Sequence, residues 1–305
     1  MRTPALCRVL LGVCATLLAG CGRSLPSTAL ASNSAQAVSW TAAHAKARDL
    51  LYISDLGANA VDVFTYPDGV AAGELTGFGS VAGLCADKAG DVFVVDEAGP
   101  VVVYAHGGTT PIRKLTTTGA PYGCSVDSVT GNLALTQLSS FSDGALAIYP
   151  KAKGKPSIYR DKDVDATWFC GYDGKGNLFA DAWDRYGNVI LVELPKGGKA
   201  LQKSKLAQKF ANPGGTMWDG TYVAVSNRGA GVIYRMGATG HVAHTITLKG
   251  GTNVEQFWID GSTLIGPNAQ SPGTVGFWHY PGGGAPFKTL KGFYFPFGAA
   301  VSVAR

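Results

Sequence analysis

Six side chains in this sequence carry the groups most able to hold a ligand. Asp181, Asn227 and Glu255 offer oxygen atoms of the kind that coordinate a divalent cation, and a cation held there would activate water for hydrolysis. Tyr122, Trp168 and Phe297 offer large, rigid contact area at small entropic cost, which suits binding of a protein, a peptide or a glycan. Other chemistries lack their residues. The five histidines (His44, His106, His241, His244 and His279) fall outside the runs that carry the six, which argues against an imidazole acid or base beside them. There is no Gly-x-Ser-x-Gly, no phosphate-cradling loop and no arginine cluster. Asp161, Asp163 and Asp165 have the alternation of a calcium loop. Ala166 stands where that loop needs Gly, however, and Tyr172 where it needs Glu, so they read as a solvated acidic link. No residue is assigned a catalytic role, and no cofactor is required, a divalent cation being the one candidate.

What must position these residues is a repeat. In Pro121 to Thr136 an apolar run ends at Asp127, a turn follows through Gly131 and Asn132, and a second apolar run returns: the pattern of a β-hairpin. The Asp that ends the first run recurs as Asp87, Asp127, Asp173, Asp219 and Asp260, at spacings of 40, 46, 46 and 41, and Ser302 takes its place 42 residues later. A period in that range marks a stacked or radial array. Each period holds four strand-sized runs, the fourth more polar, as an outer edge strand should be. The periodic part opens with Leu50 to Asp55, a second strand lacking a first, and closes with Pro296 to Ser302, a first strand with nothing after it. The two fragments complete one blade. The reading is an all-β, six-bladed β-propeller over residues 47–305, closed by pairing the C-terminal strand with the N-terminal blade.

The blade pattern Pro-x-Gly, apolar run, Asp, Gly-Asn, apolar run, Ala-Asp resembles the NHL-type repeat, best over residues 81–96 and 121–136. Blade 4 departs from it, with Phe169 in place of Gly and Thr167 in place of Pro. The resemblance implies a ligand site on the upper face, where first strands begin around the central channel. There the residue after Pro would border the channel mouth: Ala82, Tyr122, Trp168, Gly214, Glu255 and Phe297. Those aromatics form either a binding floor or a plug that packs on itself. Second-strand ends would add Asp55, Asp96, Gln137, Asp181, Asn227 and Asn268, of which Asp55 and Asp96 suit turn capping.

The N-terminal segment is different in kind. Arg2 and Arg8 accompany an apolar run, Val9 to Leu18, too short to span a bilayer, followed by Leu18-Ala19-Gly20-Cys21. That end resembles the bacterial lipobox and implies acylation of Cys21 after removal of residues 1–20. Gly22 in place of Asp then favours the outer membrane in an envelope that has two. Residues 21–46 read as a flexible tether. A charge of 26 − 2 − 21 = +3 without the two signal arginines gives no warrant for nucleic-acid binding. Lys151, Lys153, Lys155 and the lysines from Lys196 to Lys205 fall in the lower hairpins, where anionic lipid or polysaccharide would be their partner if they have one. Cys85, Cys124 and Cys170 are expected as buried small hydrophobes; Cys124–Cys170 is the pairing open to them, with Cys85 one position out of step and facing the other side of its strand. The function expected is that of a monomeric, lipid-anchored envelope module that binds without catalysis; a metal-dependent lactonase-like hydrolase at the channel mouth is the alternative.

Overall fold

The computed structural model describes residues 47–138 and 144–305; the segments expected as signal and tether, with Cys21, lie outside the described residues. Six four-stranded antiparallel sheets follow one another, each running outward from an innermost first strand. Blade 2 is Val81–Ala86, Val92–Asp96, Val101–Tyr104 and Pro111–Leu115, and blade 3 begins at Pro121–Val126. Blade 1 is closed as expected. Pro296–Ser302 pairs antiparallel with Leu50–Asp55, Leu50 opposite Ser302 and Ile53 opposite Ala299. Closure supplies blade 1 with its first strand, and the inner strands are mostly apolar because neighbouring blades cover their faces. Val92–Asp96 is buried along its whole length, whereas the outermost Pro111–Leu115 exposes most of its residues.

The repeat residues are explained by turns and close approach. Asp173 Oδ1 accepts the N–H groups of Lys175 and Asn177 (both 2.8 Å), and Asp87 does the same for Ala89 and Asp91, so the recurring Asp fastens the first hairpin of its blade. Gly123 lies where consecutive first strands nearly touch: a Cβ there would stand 2.8 Å from the Trp168 carbonyl oxygen and from the Phe169 ring.

The cysteines pair differently from the expectation. Cys85 and Cys124 form the disulfide, with Cα atoms 5.7 Å apart, and Cys170 is a buried free thiol. The one-position offset of Cys85 is the reason. Alternate residues of a first strand point toward opposite neighbouring blades. Cys85 therefore points forward into the packing between blades 2 and 3, and Cys124 points back into it, among Phe93, Val95, Leu133 and Leu135. Cys124 and Cys170 occupy equivalent positions and point the same way, Cys170 packing against Ala134 and Leu146 of blade 3. They never face each other.

Candidate functional site

The register of the sheets moves Asp181 away from a strand end. In blade 3 Pro121 pairs with Gln137, and in blade 4 Thr167 pairs with Ala182, so Ala182 is the counterpart of Gln137 and Asp181 that of Thr136. The second strand of blade 4 also runs on to Asp184. Asp181 thus stands in the position of Ser54, Thr136 and Ser226, which in their blades reach the next one. Ser54 Oγ accepts the Gly298 N–H (2.8 Å) and donates to the Ala82 carbonyl of the next blade (2.6 Å). Thr136 Oγ1 does likewise with the Gly123 N–H and the Trp168 carbonyl, and Ser226 Oγ donates to the Val254 carbonyl. Asp181 Oδ1 accepts the Phe169 N–H (2.8 Å), while its Oδ2 is buried with no hydrogen-bond partner. Burial pushes its carboxyl up to about 8; the Phe169 N–H, and Thr216 and Gly214 close by, hold it from rising further.

Two departures from the repeat's Gly fill the upper channel. Phe169 packs on Tyr122 (ring centroids 5.3 Å) and on Phe297 (5.8 Å), and Tyr122 meets Phe297 edge-on at 5.1 Å. Gln256 is the blade 6 counterpart and reaches past blade 1 to blade 2: Oε1 accepts the Leu84 N–H (2.7 Å) and Nε2 donates to the Leu84 carbonyl (2.6 Å). Sequence reading passed over Gln256. The signal was available, since Gln stands where Gly83, Gly123, Gly215 and Gly298 stand in other blades. Below this plug a cavity of about 120 Å³ remains in the channel, walled by Cys124, Cys170, Thr216 and Gln256 and leading toward the lower turns.

On the upper side the plug presents a shallow surface. Tyr122 and Phe297 are buried, whereas Trp168 is half-buried and meets Tyr122 edge-on at 5.0 Å. The Arg228 guanidinium lies 5.4 Å over the Trp168 ring and donates from one nitrogen to Glu255 Oε1. The Arg228 side chain keeps 24% of its exposure; that of Glu255 keeps 2%. Burial raises the Glu255 carboxyl above its ordinary value and Arg228 pulls it back. Glu255 Oε2 and the Trp168 indole N–H are both buried without a partner. Phe295, Leu56 and Leu138 flank the aromatic cluster, and Tyr294, 69% exposed, stands in the link beside Phe295. Of the six residues picked from the sequence, the structure brings Tyr122, Trp168, Phe297 and Glu255 together. Arg228 joins them unannounced, one residue after a strand end.

Asn227 serves the scaffold: its Oδ1 accepts the Ala211 N–H (2.8 Å) and its Nδ2 donates to the Lys209 carbonyl (3.3 Å). Asp55 and Asp96 hold the preceding inter-blade links in the same manner, Asp55 through Tyr294 and Phe295 and Asp96 through Gly79 and Ser80. In the acidic link, Asp161 and Asp163 both pair with Lys203, and Asp163 also with Lys162 and Arg185. Bonds from Lys203 and Lys162 hold the Asp163 carboxyl well below the usual range. Among the described residues no three of His, Cys, Asp and Glu cluster as a metal site.

The molecule is a six-bladed β-propeller whose upper channel is closed by aromatic side chains. No protein-family model and no curated protein matches the chain. Among solved structures it is similar to a chain in the crystal structure of a nidogen/laminin complex, with a TM-score of 0.70 and 14% identity, over 84% of this chain and 99% of that one. It is also similar to a protein of unknown function from Bacteroides caccae, with a TM-score of 0.64 and 12% identity over the same shares. At such identities the likeness is one of fold.

Proposed function

We propose that this chain is a non-catalytic binding module that takes a protein partner on the upper face, with Trp168 and Arg228 as its anchors. The observation that carries the reading is the Arg228 guanidinium stacked over a half-buried Trp168 on a closed, shallow surface. Trp, Tyr and Arg set among apolar neighbours are the side chains on which protein interfaces concentrate their binding energy. A glycan or small substrate would call for a cleft, and the upper channel is filled. The structural neighbour from a nidogen/laminin complex supports the same class of partner. The hydrolase alternative has less support. Asp181 is buried and accepts the Phe169 N–H of its own blade, Asn227 fastens a link and Glu255 is paired with Arg228. Calcium or zinc bound at one per chain, and lost in Asp181→Ala, would replace the binding reading.

The Leu-Ala-Gly-Cys box supports a lipid anchor at Cys21, in the cell envelope and on the outer membrane where there are two; the further reading is a monomer of NHL-like blades. Mass spectrometry of the mature N-terminus tests this: an acylated Cys21 is expected, and an unmodified terminus at another residue overturns it. The partner face is tested by placing a photo-crosslinking phenylalanine analogue at Tyr294, on the upper face, or at Phe287, exposed on the outer strand of blade 6. A discrete protein adduct from position 294 alone is expected; identical adducts from both positions, or none, contradict the reading.

A further inference from the structure

Positive charge collects on the lower face, where the upper-face reading has no use for it. Lys151, Lys153 and Lys155 lie between the third and fourth strands of blade 3, Lys196 and Lys199 in the same hairpin of blade 4, and Lys175 in the first hairpin of blade 4. All six are exposed, and none joins an ion pair among the described residues. Their turns are held rigid. The Lys151 N–H donates to Asn132 Oδ1 (2.9 Å) and the Lys196 N–H to Asn177 Oδ1 (3.0 Å), which brings both hairpins of each blade to one level. The nearby carboxylates are engaged in their own blades. Asp127 and Asp173 are buried and bonded to their own turns, Asp87 accepts from its own turn, Asp91 is half-buried near Arg113, and the acidic link through Asp161 and Asp163 sits on the opposite face.

Apolar groups stand among the lysines. Val129, at the tip of the first hairpin of blade 3, is 60% exposed, and Val303 is 55% exposed. Val303 borders a cavity of about 340 Å³ that Lys88, Ala86, Val126 and Trp258 also line. The described chain enters blade 1 on this same face. His106 of blade 2 lies 3.0 Å from the Arg48 carbonyl and 2.6 Å from Ser302 Oγ, where the last strand ends.

We infer that the lower face of blades 2 to 4 docks on an anionic lipid bilayer. Lysines near such a surface are attracted within a Debye length, and salt screens the attraction. Val129 and Val303 add what charge alone does not: side chains that gain by leaving water at the headgroup boundary. An anionic polysaccharide would engage the lysines and leave the valines idle. Docked in this way, the propeller turns Trp168 and Arg228 away from the membrane.

The test uses the full chain carrying Cys21→Ser, so that no acyl group contributes and the result is independent of the anchor reading. Co-sedimentation is measured with vesicles of phosphatidylcholine alone and of phosphatidylcholine with phosphatidylglycerol. Binding to the anionic vesicles only is expected, abolished by high salt. The combined Lys151→Glu, Lys153→Glu, Lys155→Glu, Lys196→Glu and Lys199→Glu substitution should weaken it at least about tenfold. Val129→Ser should weaken it about threefold, and Lys209→Glu, in the link on the opposite face, should leave it unchanged. Equal binding to neutral vesicles overturns the inference, as does indifference to the five substitutions. So does full competition by soluble polygalacturonate with no effect of Val129→Ser, which would assign the face to a polysaccharide. The lipid and salt dependence of the chain without lysine substitutions decides the matter even if the five-fold variant misfolds.

Discussion

Asp181 stands where Ser54, Thr136 and Ser226 stand in other blades, and a carboxyl can do the work of a hydroxyl only while it keeps its proton. Protonated, it accepts from Phe169 through one oxygen and has a donor to offer from the other, beside Thr216 Oγ1. Ionised, it is a buried charge that the Phe169 N–H, with Thr216 and Gly214 close by, offsets only in part. The sign of the linkage follows. Burial raises the folded-state value to about 8, above that of the unfolded chain, so the folded state binds the extra proton. The stability this group contributes is fully present below the unfolded value near 4 and is lost as pH rises through about 8. Asp181→Asn keeps an acceptor and a donor without the charge. It should raise the stability at pH 8 by about 1–3 kcal/mol, with little change at pH 4, in thermal melts across that range. A melting profile of the variant parallel to that of the parent would show that Asp181 does not titrate as described.

At the scale of elements, the strands were legible in the sequence and the contacts between blades were less so. Periodicity marked each hairpin because alternation and turn chemistry are local, and Asp173 with Asn177 shows that chemistry directly. The register of blade 4 was legible and was miscounted: from Gly131-Asn132 and Gly176-Asn177 the spacing sets Asp181 level with Thr136, and the bulge before Cys170 repeats the one before Cys124. The disulfide was misread for a related reason: direction around the ring depends on strand parity, and the mismatch that seemed to separate Cys85 from Cys124 is what turns them toward each other. Arg228 could not be assigned to the site from spacing, since its guanidinium reaches Trp168 of blade 4 and Glu255 of blade 6 from the start of a loop. The covalent tie between blades 2 and 3 closes a loop across a sequence separation of 39. Replacing Cys85 and Cys124 by Ser should therefore cost about 2–4 kcal/mol in denaturant unfolding. Cys170→Ser, at a buried thiol with no covalent partner, should cost less than the double replacement. Peptide mapping that links Cys124 to Cys170 instead would contradict this assignment.

At the scale of the whole molecule, closure gives the ring two unlike faces. The upper face has a filled channel capped by Trp168 and Arg228, and the lower face carries the lysine turns and the entry of the described chain at Arg48. A rigid ring suits a binding module, because its face is organised before any partner arrives and little ordering entropy is lost on contact. The inter-blade hydrogen bonds, those of Gln256 to Leu84 among them, supply that rigidity. The most direct test of the central claim is the yield of the photo-crosslinked adduct from position 294, measured in the parent and in Trp168→Ala and Arg228→Ala chains of equal abundance. The loss of an anchor worth about 2 kcal/mol or more should lower the yield at limiting partner by an order of magnitude in each variant. An adduct that forms equally well without Trp168 and without Arg228 would contradict the assignment of the upper face.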